Sequence, residues 1–220
     1  MRRIPASLLQ QMASQLSGED RDEMAIPSYL HPNPALRWMA WRRVTVIAKH
    51  LADHVAKRPA TAIMDFGCGT GVLLGECARH APQVWGVDLV LDAARLLTRQ
   101  WSLDSVALLT PDAARDRVEP GSLDVILGAE VLEHVEPLDE TLQLFKTWLK
   151  PEGRLIVSLP TENRVYRFGR RLAGFSGHYH HANAASIDRE IRAAGFRRDR
   201  LETVPLPGPL SVYWVLGYSR

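Results

Sequence analysis

The feature that most constrains this chain is a short apolar strand that runs into an acid and then three alternating glycines, at residues 63–71 (Ile-Met-Asp-Phe-Gly-Cys-Gly-Thr-Gly). Apolar residues before the turn allow the strand to lie buried inside a sheet. Glycines after it let backbone N–H groups approach a ligand that a Cβ would hold away. The pattern therefore predicts a small-molecule site at the carboxyl end of a parallel strand.

Turns of this kind also bind phosphates, so the position of the third glycine matters. A dinucleotide fingerprint places it sixth, where this chain has Val72, whereas the glycine comes one residue earlier, at Gly71. A triphosphate loop would need a following Gly-Lys-Ser/Thr, which the turn lacks. Asp65 would repel a phosphate and favour a cation. These residues favour a positively charged ligand that carries a nucleoside.

Residues 65–71 resemble the first motif of the class I S-adenosylmethionine-dependent methyltransferases, which runs from an acid through alternating glycines. The resemblance extends, as an ordered series of strand ends, from about residue 60 to about residue 200. It implies S-adenosylmethionine as cofactor and S-adenosylhomocysteine as product. The implied fold is α/β and Rossmann-like, with a seven-stranded, mostly parallel sheet, an antiparallel last strand and helices on both faces.

Strands and helices alternate from Ala60 onward, which predicts a parallel sheet covered on both faces. Strands are expected over residues 61–66, 83–88, 105–109, 123–128, 154–159, 196–204 and 211–218, and helices over residues 71–80, 90–100, 138–149 and 184–194. The link at 205–210 is too short for a helical crossover, so the last two strands should pair antiparallel.

The first quarter of the chain is predicted to be a helical annex, residues 1–58. Helix-like apolar spacing over 5–17 and 36–57 is interrupted by an acidic, turn-forming stretch at 18–23 and by prolines at 32 and 34. We expect one methyltransferase domain over residues 1–220, with the annex as a cap and residues 59–220 as the cofactor-binding core.

Composition excludes several classes of protein. A chain of 220 residues with 46% apolar content buries a real core. A formal charge of +2 is too small to argue for a nucleic-acid partner. The two cysteines, Cys68 and Cys77, form neither a CxxC pair nor a disulfide framework, which favours a cytoplasmic location. The sequence has no run of eighteen apolar residues, so no integral membrane segment is expected.

The resemblance places cofactor contacts at successive strand ends. Asp88 is positioned for the ribose hydroxyls and Leu89 for one adenine face, although Asp88 and Asp112 have the alternative of capping a helix. Glu133 is expected to face solvent or the sheet edge. The implied cofactor-binding residues are Asp65, Gly67, Cys68, Gly69 and Gly71 of the turn, Asp88 and Leu89, Asp112 and Ala113 for adenine, and Ala129 and Glu130 for the methionine end.

Three histidines are candidates for the general base. His134 follows the fourth strand, and an imidazole titrates near neutral pH, although a histidine at a helix start is often structural. His178 and His180 lie in a Gly-His-Tyr-His-His run that also suggests acceptor orientation. Their spacing matches no closed four-ligand zinc pattern, so no metal is expected.

A basic stripe follows the fifth strand, formed by Arg164, Arg167, Arg170 and Arg171. At helical spacing it is either a solvated face or a clamp for an acidic acceptor or anionic lipid headgroups. We therefore expect a small-molecule acceptor, acidic or presented at a membrane.

O-methylation of a small molecule is the favoured function, because the chain resembles the broad group that includes ubiquinone-pathway, sugar and natural-product methyltransferases. N- or C-methylation remains open, as does a methyltransferase-like domain that binds cofactor without turnover. A nicotinamide-dependent oxidoreductase is disfavoured by Val72 and by the reversed last strand.

Overall fold

A computed structural model describes residues 1–161 and 183–220, and its centre is a single seven-stranded sheet. The strands are β1 (Ala62–Phe66), β2 (Gln83–Val87), β3 (Val106–Leu109), β4 (Leu123–Ala129), β5 (Leu149–Pro160), β6 (Arg197–Pro205) and β7 (Ser211–Ser219). Their order across the sheet is β3-β2-β1-β4-β5-β7-β6.

The strand directions confirm the predicted topology. β1 pairs in parallel with β2 and β4, and β3 and β5 extend the parallel sheet on either side. β7 lies antiparallel between β5 and β6. The order reverses between β1 and β4, so the crevice at their carboxyl ends is where an open α/β sheet holds its ligand.

Nine α-helices are described, and three of them were not predicted. The nine are α1 (Ala6–Gln15), α2 (Gly18–Glu23), α3 (Ile26–Tyr29), α4 (Pro34–Val55), α5 (Leu74–His80), α6 (Asp92–Trp101), α7 (Pro111–Arg117), α8 (Leu138–Trp148) and α9 (Ala184–Ala193). Those that were not predicted are α2, α3 and α7. The stretch expected to be a turn forms α2, because the Ser17 side chain accepts a hydrogen bond from the Asp20 backbone N–H. In α7, Thr110 is the cap and Pro111 occupies the first turn.

Helices cover both faces of the sheet, as predicted. One buried cluster joins the sheet to the annex and to α5 and α6, and the other joins it to α7, α8 and α9. Successive strand residues alternate between the clusters, so Ile63 packs on the annex side and Met64 on the opposite side. Asp65 therefore points toward the annex face.

Helix α4 runs the height of the sheet and carries its first half to the carboxyl edge. Arg43, in that half, pairs with Glu130 just after β4. Arg58, just beyond the helix, pairs with Glu152 near the start of β5. Across the described residues, no helix combines the length and apolar character needed to cross a bilayer.

The glycine turn provides a test of this packing. Gly67 has φ +72°, and a Cβ there would overlap the Val131 side chain, whereas Gly121 has φ +64° with nothing within 4 Å of its Cβ position. Gly121→Ala should cost about 1 kcal/mol for the left-handed backbone alone. Gly67→Ala should cost roughly 1–3 kcal/mol more because of the overlap. Urea unfolding of both variants measures the difference, and equal losses would contradict the packing described here.

Candidate cofactor and acceptor site

The glycine turn crosses from the end of β1 to the end of β2. The backbone N–H groups of Gly67 and Cys68 both donate to the Val87 carbonyl, at 2.8 and 3.1 Å. Gly71 has φ +78°, and a Cβ there would lie 2.9 Å from a Leu97 methyl group, so the turn packs directly against α6. This is why the helix expected from residue 71 begins only at Leu74. The Cys68 thiol is free and buried, and burial raises its pKa well above the ordinary value.

Asp88 is tied to the turn rather than to the next helix. Its carboxylate accepts from the Gly69 N–H at 2.7 Å and from the Val90 N–H at 3.2 Å. Helix α6 begins later, at Asp92, so Asp88 does not cap it. Burial raises the pKa of Asp88, and backbone hydrogen bonds, that from Gly69 first, oppose the rise. Beside it, Leu89 is 81% exposed, which leaves a large apolar surface open at the carboxyl edge.

Asp65 is the most unusual group of the site. Its side chain is buried, and among the described residues its Oδ1 has no hydrogen-bond partner. Burial raises the pKa of Asp65 to about 7, and the Asp88 charge contributes to the rise. A buried carboxylate without a partner is costly. A cationic ligand in the crevice would supply the missing partner, so these residues fit a sulfonium nucleoside that carries an amino group.

Asp112 lies in the first turn of α7 with its side chain exposed. The cap of this helix is Thr110, whose hydroxyl accepts from the Ala113 N–H at 3.4 Å. The alternative that Asp112 serves as a cap is therefore wrong, and its carboxylate stays open at the end of β3.

Glu130 follows Ala129, the last residue of β4, in a left-handed conformation with φ +54°. Its N–H donates to the Ser158 carbonyl at 3.0 Å, which fixes the backbone. One carboxylate oxygen, Oε2, pairs with Arg43, and the other, Oε1, is buried and has no partner among the described residues. Burial raises the pKa of Glu130, and Arg43 opposes that rise.

Arg43 is a residue of the site that the sequence reasoning missed. Its Nη2 donates to the Tyr29 hydroxyl at 3.4 Å, and its guanidinium carbon lies 5.1 Å from the centre of the Tyr213 ring. Burial alone would lower the pKa of Arg43, but the Glu130 charge and the two phenols raise it on balance. The available signal was its place on the apolar stripe of α4, three residues after Ala40 and four before Ile47.

The annex approaches the glycine turn from above. The Met24 side chain lies 3.6 Å from the position that a Cβ of Gly69 would take. Tyr29, which packs on Trp41 with ring centroids 4.7 Å apart, is close enough to Asp65 to feel its charge. Burial is the main cause of the raised pKa of Tyr29, and the charges of Asp65 and Glu130 add to it.

The turn after β4 corrects one expectation. Leu132–His134 forms a single 3-10 turn, in which successive side chains point in three directions. Leu132 and Glu133 are buried and His134 is exposed, so the prediction that Glu133 faces solvent or the sheet edge is wrong.

The remaining candidates fall outside the described residues. These are His178, His180 and the basic stripe of Arg164, Arg167, Arg170 and Arg171. In residues 1–161 and 183–220, no three His, Cys, Asp or Glu side chains are grouped so as to hold a metal ion.

Comparison with known proteins agrees with this geometry. A family profile described as a methyltransferase domain matches residues 26–200. The chain belongs to this family and, with the fold and the glycine turn, to the class I S-adenosylmethionine-dependent methyltransferases, so its cofactor is S-adenosylmethionine. The assignment favours a methyltransferase over the nicotinamide-dependent alternative.

Curated relatives match parts of the chain. The chain is 32% identical to a ubiquinone biosynthesis O-methyltransferase of Cupriavidus pinatubonensis, over 50% of this chain and 46% of that protein. It is 32% identical to a malonyl-[acyl-carrier protein] O-methyltransferase of Halalkalibacterium halodurans, over 57% of this chain and 48% of that protein. The chain spans about half the length of the curated relatives it matches.

Among solved structures, the fold is similar to the N-methyltransferase NodS of Bradyrhizobium japonicum in complex with S-adenosylhomocysteine. The TM-score is 0.66 at 16% identity, over 97% of this chain and 98% of that one. At this identity the likeness establishes the fold alone.

The raised pKa of Asp65 sets a pH dependence. Its pKa of about 7 exceeds the ordinary value of 3.8, so the folded, ligand-free protein binds more protons than the unfolded chain between these values and loses stability as pH rises through them. Asp65→Asn should therefore raise Tm at pH 8 by about 3 °C or more, and much less at pH 4. Its affinity for S-adenosylhomocysteine should fall at least about tenfold. Scanning and titration calorimetry measure both quantities.

Asp124→Asn is the matched control. Asp124 accepts from Lys150 at 2.7 Å, and despite partial burial its hydrogen bonds lower its pKa. The control should lose stability at pH 8 and keep its cofactor affinity. If the Asp65→Asn variant bound S-adenosylhomocysteine as tightly as the wild type, Asp65 would have no role in cofactor binding.

Proposed function

We propose that this protein transfers a methyl group from S-adenosylmethionine to an oxygen atom of a small-molecule acceptor. The observation that carries the proposal is the buried Asp65 carboxylate, with an oxygen that has no partner in the described structure, beside a turn in which a Cβ at Gly67 or Gly71 would overlap neighbouring side chains. The choice of oxygen is supported by the two O-methyltransferases that are 32% identical to parts of this chain.

Different residues of the chain would bind different parts of the cofactor. Asp65 would accept a hydrogen bond from the α-ammonium group of the cofactor, and Asp88 from the ribose hydroxyls. Leu89 offers an apolar surface to the adenine ring, and Asp112 an acceptor for the adenine amino group. When bound, S-adenosylmethionine supplies an electrophilic methyl group on a sulfonium. Much of the rate would come from holding the acceptor oxygen close to that methyl group and in line with it.

The acceptor oxygen must also lose its proton. A phenol with a pKa near ~10 is hardly ionised at neutral pH, so a base is needed. His134 is exposed just after the carboxyl end of β4, so an acceptor bound there could reach its imidazole. His178 and His180 are the other candidates, and the basic stripe would attract an acidic acceptor or one presented at a membrane.

In this proposal the annex, residues 1–58, is a cap on a core of residues 59–220. Three of its side chains support that role, because Met24, Tyr29 and Arg43 approach the glycine turn and the end of β4. We place the protein in the cytoplasm, and its two free cysteines support that location.

An acceptor screen tests the function. The full chain is incubated with S-adenosylmethionine labelled in its methyl group and with matched phenols, carboxylic acids, amines and activated methylenes. We expect S-adenosylhomocysteine and a methyl ether or methyl ester, identified by mass spectrometry. A methylated amine or carbon would overturn O-methylation, and tight cofactor binding without any methylated product would favour a non-catalytic domain.

Histidine variants identify the base. His134→Gln, His178→Gln and His180→Gln should each bind S-adenosylhomocysteine within about twofold of wild type, and one of them should lower kcat by roughly a hundredfold. His80→Gln is the control, because His80 ends α5 and contacts Glu76 instead of the site. Full turnover in all three variants would mean that none of these histidines removes the proton.

A further inference from the structure

The buried ion pair between Arg43 and Glu130 joins the annex to the end of β4. Arg43 is 6% exposed although its neighbours on the same stripe of α4, Ala40, Val44 and Ile47, are apolar. Charged side chains are almost never fully buried unless they are paired. Because well-packed apolar residues often stabilise a fold as much as a buried ion pair does, stability alone does not account for Arg43.

The guanidinium is held from several sides. It pairs with Oε2 of Glu130, donates to the Tyr29 hydroxyl at 3.4 Å and lies over the Tyr213 ring. Two aromatic side chains and one carboxylate therefore fix its position. Arg43 is engaged within the protein, so it acts through Glu130 instead of binding a ligand itself.

Glu130 is itself unusually constrained. A residue other than glycine at φ +54° costs free energy and persists only where its surroundings determine it. Its N–H is held by the Ser158 carbonyl at 3.0 Å, and Arg43 holds one oxygen of its side chain. The other carboxylate oxygen of Glu130, Oε1, is buried and has no hydrogen-bond partner among the described residues.

The second buried carboxylate oxygen of this kind belongs to Asp65, on the neighbouring strand. β1 and β4 pair directly, with Asp65 opposite Leu127 and Phe66 opposite Gly128. Tyr29, whose hydroxyl accepts a hydrogen bond from Arg43, lies within electrostatic range of both carboxylates. Both oxygens thus lie at the switch point of the sheet.

We infer that Arg43 is a positioning residue for the cofactor: by holding Oε2 of Glu130, it keeps Oε1 available, so that Glu130 and Asp65 together receive the α-ammonium group of S-adenosylmethionine. Since Arg43 belongs to the annex, the annex is then part of the cofactor site, and cofactor binding stabilises its docking on the sheet. The inference does not depend on the identity of the acceptor.

The test is a double-mutant cycle, with S-adenosylhomocysteine binding to the full chain followed by titration calorimetry. Arg43→Met and Glu130→Gln should each weaken binding about tenfold or more, since each disturbs a hydrogen bond to a charged group. The double variant should bind S-adenosylhomocysteine with about the affinity of whichever single variant has the lower affinity, because both changes affect one interaction. Arg43→Lys should recover part of the loss, because it keeps the charge without the planar fork.

Arg200→Met is the matched structural control. Arg200 of β6 pairs with Asp53 of α4 at 2.9 Å, so its loss breaks another contact between this helix and the sheet. The control should lower Tm and keep S-adenosylhomocysteine affinity within about twofold. Glu130→Gln preserves shape, so it tests the inference even where Arg43→Met folds poorly.

Two results would overturn the positioning role. One is wild-type affinity in Glu130→Gln, and the other is losses that multiply in the double variant, which would mean that the two residues act independently. A wild-type protein without affinity for S-adenosylhomocysteine would instead overturn the cofactor assignment itself. Absence of O-methylation with the binding cycle intact would overturn only the proposed acceptor chemistry.

Discussion

The architecture of the site depends on a buried carboxylate, that of Asp65, one oxygen of which has no hydrogen-bond partner in the part of the chain that the structure describes. Asp65 lies at the end of a central strand, and the apolar residues before it hold the strand inside the sheet, so its side chain cannot reach water. A buried charge of this kind costs free energy that the rest of the core must offset. The glycine turn and Asp88 lie beside it, and none of them neutralises it. A cationic ligand in the crevice would offset that cost.

The balance of charges around the crevice also favours a cationic ligand. Three carboxylates, on Asp65, Asp88 and Glu130, lie at or just after the carboxyl ends of neighbouring strands, and in the described residues Arg43 is paired with only one of them. The sheet thus supplies negative charge from successive strands, and the annex supplies one cation and the phenol of Tyr29. A ligand with a sulfonium and an ammonium group would balance the remainder better than a pyrophosphate would.

Local patterns were enough to predict the alternating strands and helices and the reversed last strand. Each depends on residues near one another in sequence, such as the short link before β7. The errors have other causes. Helix α2 forms because of the cap at Ser17, and Glu133 is buried because of the geometry of a 3-10 turn. The pairing of Arg43 with Glu130 joins residues 87 apart, and no local pattern specifies such a partner.

Cys68, between two glycines of the turn, has a consequence for chemical sensitivity. Oxidants and alkylating agents attack the thiolate, and burial keeps this sulfur protonated and covered. A sulfur atom therefore lies within the cofactor turn without making that turn a redox sensor. Its role is that of a small apolar side chain, so the site would retain its shape when the thiol–disulfide balance of its surroundings changes.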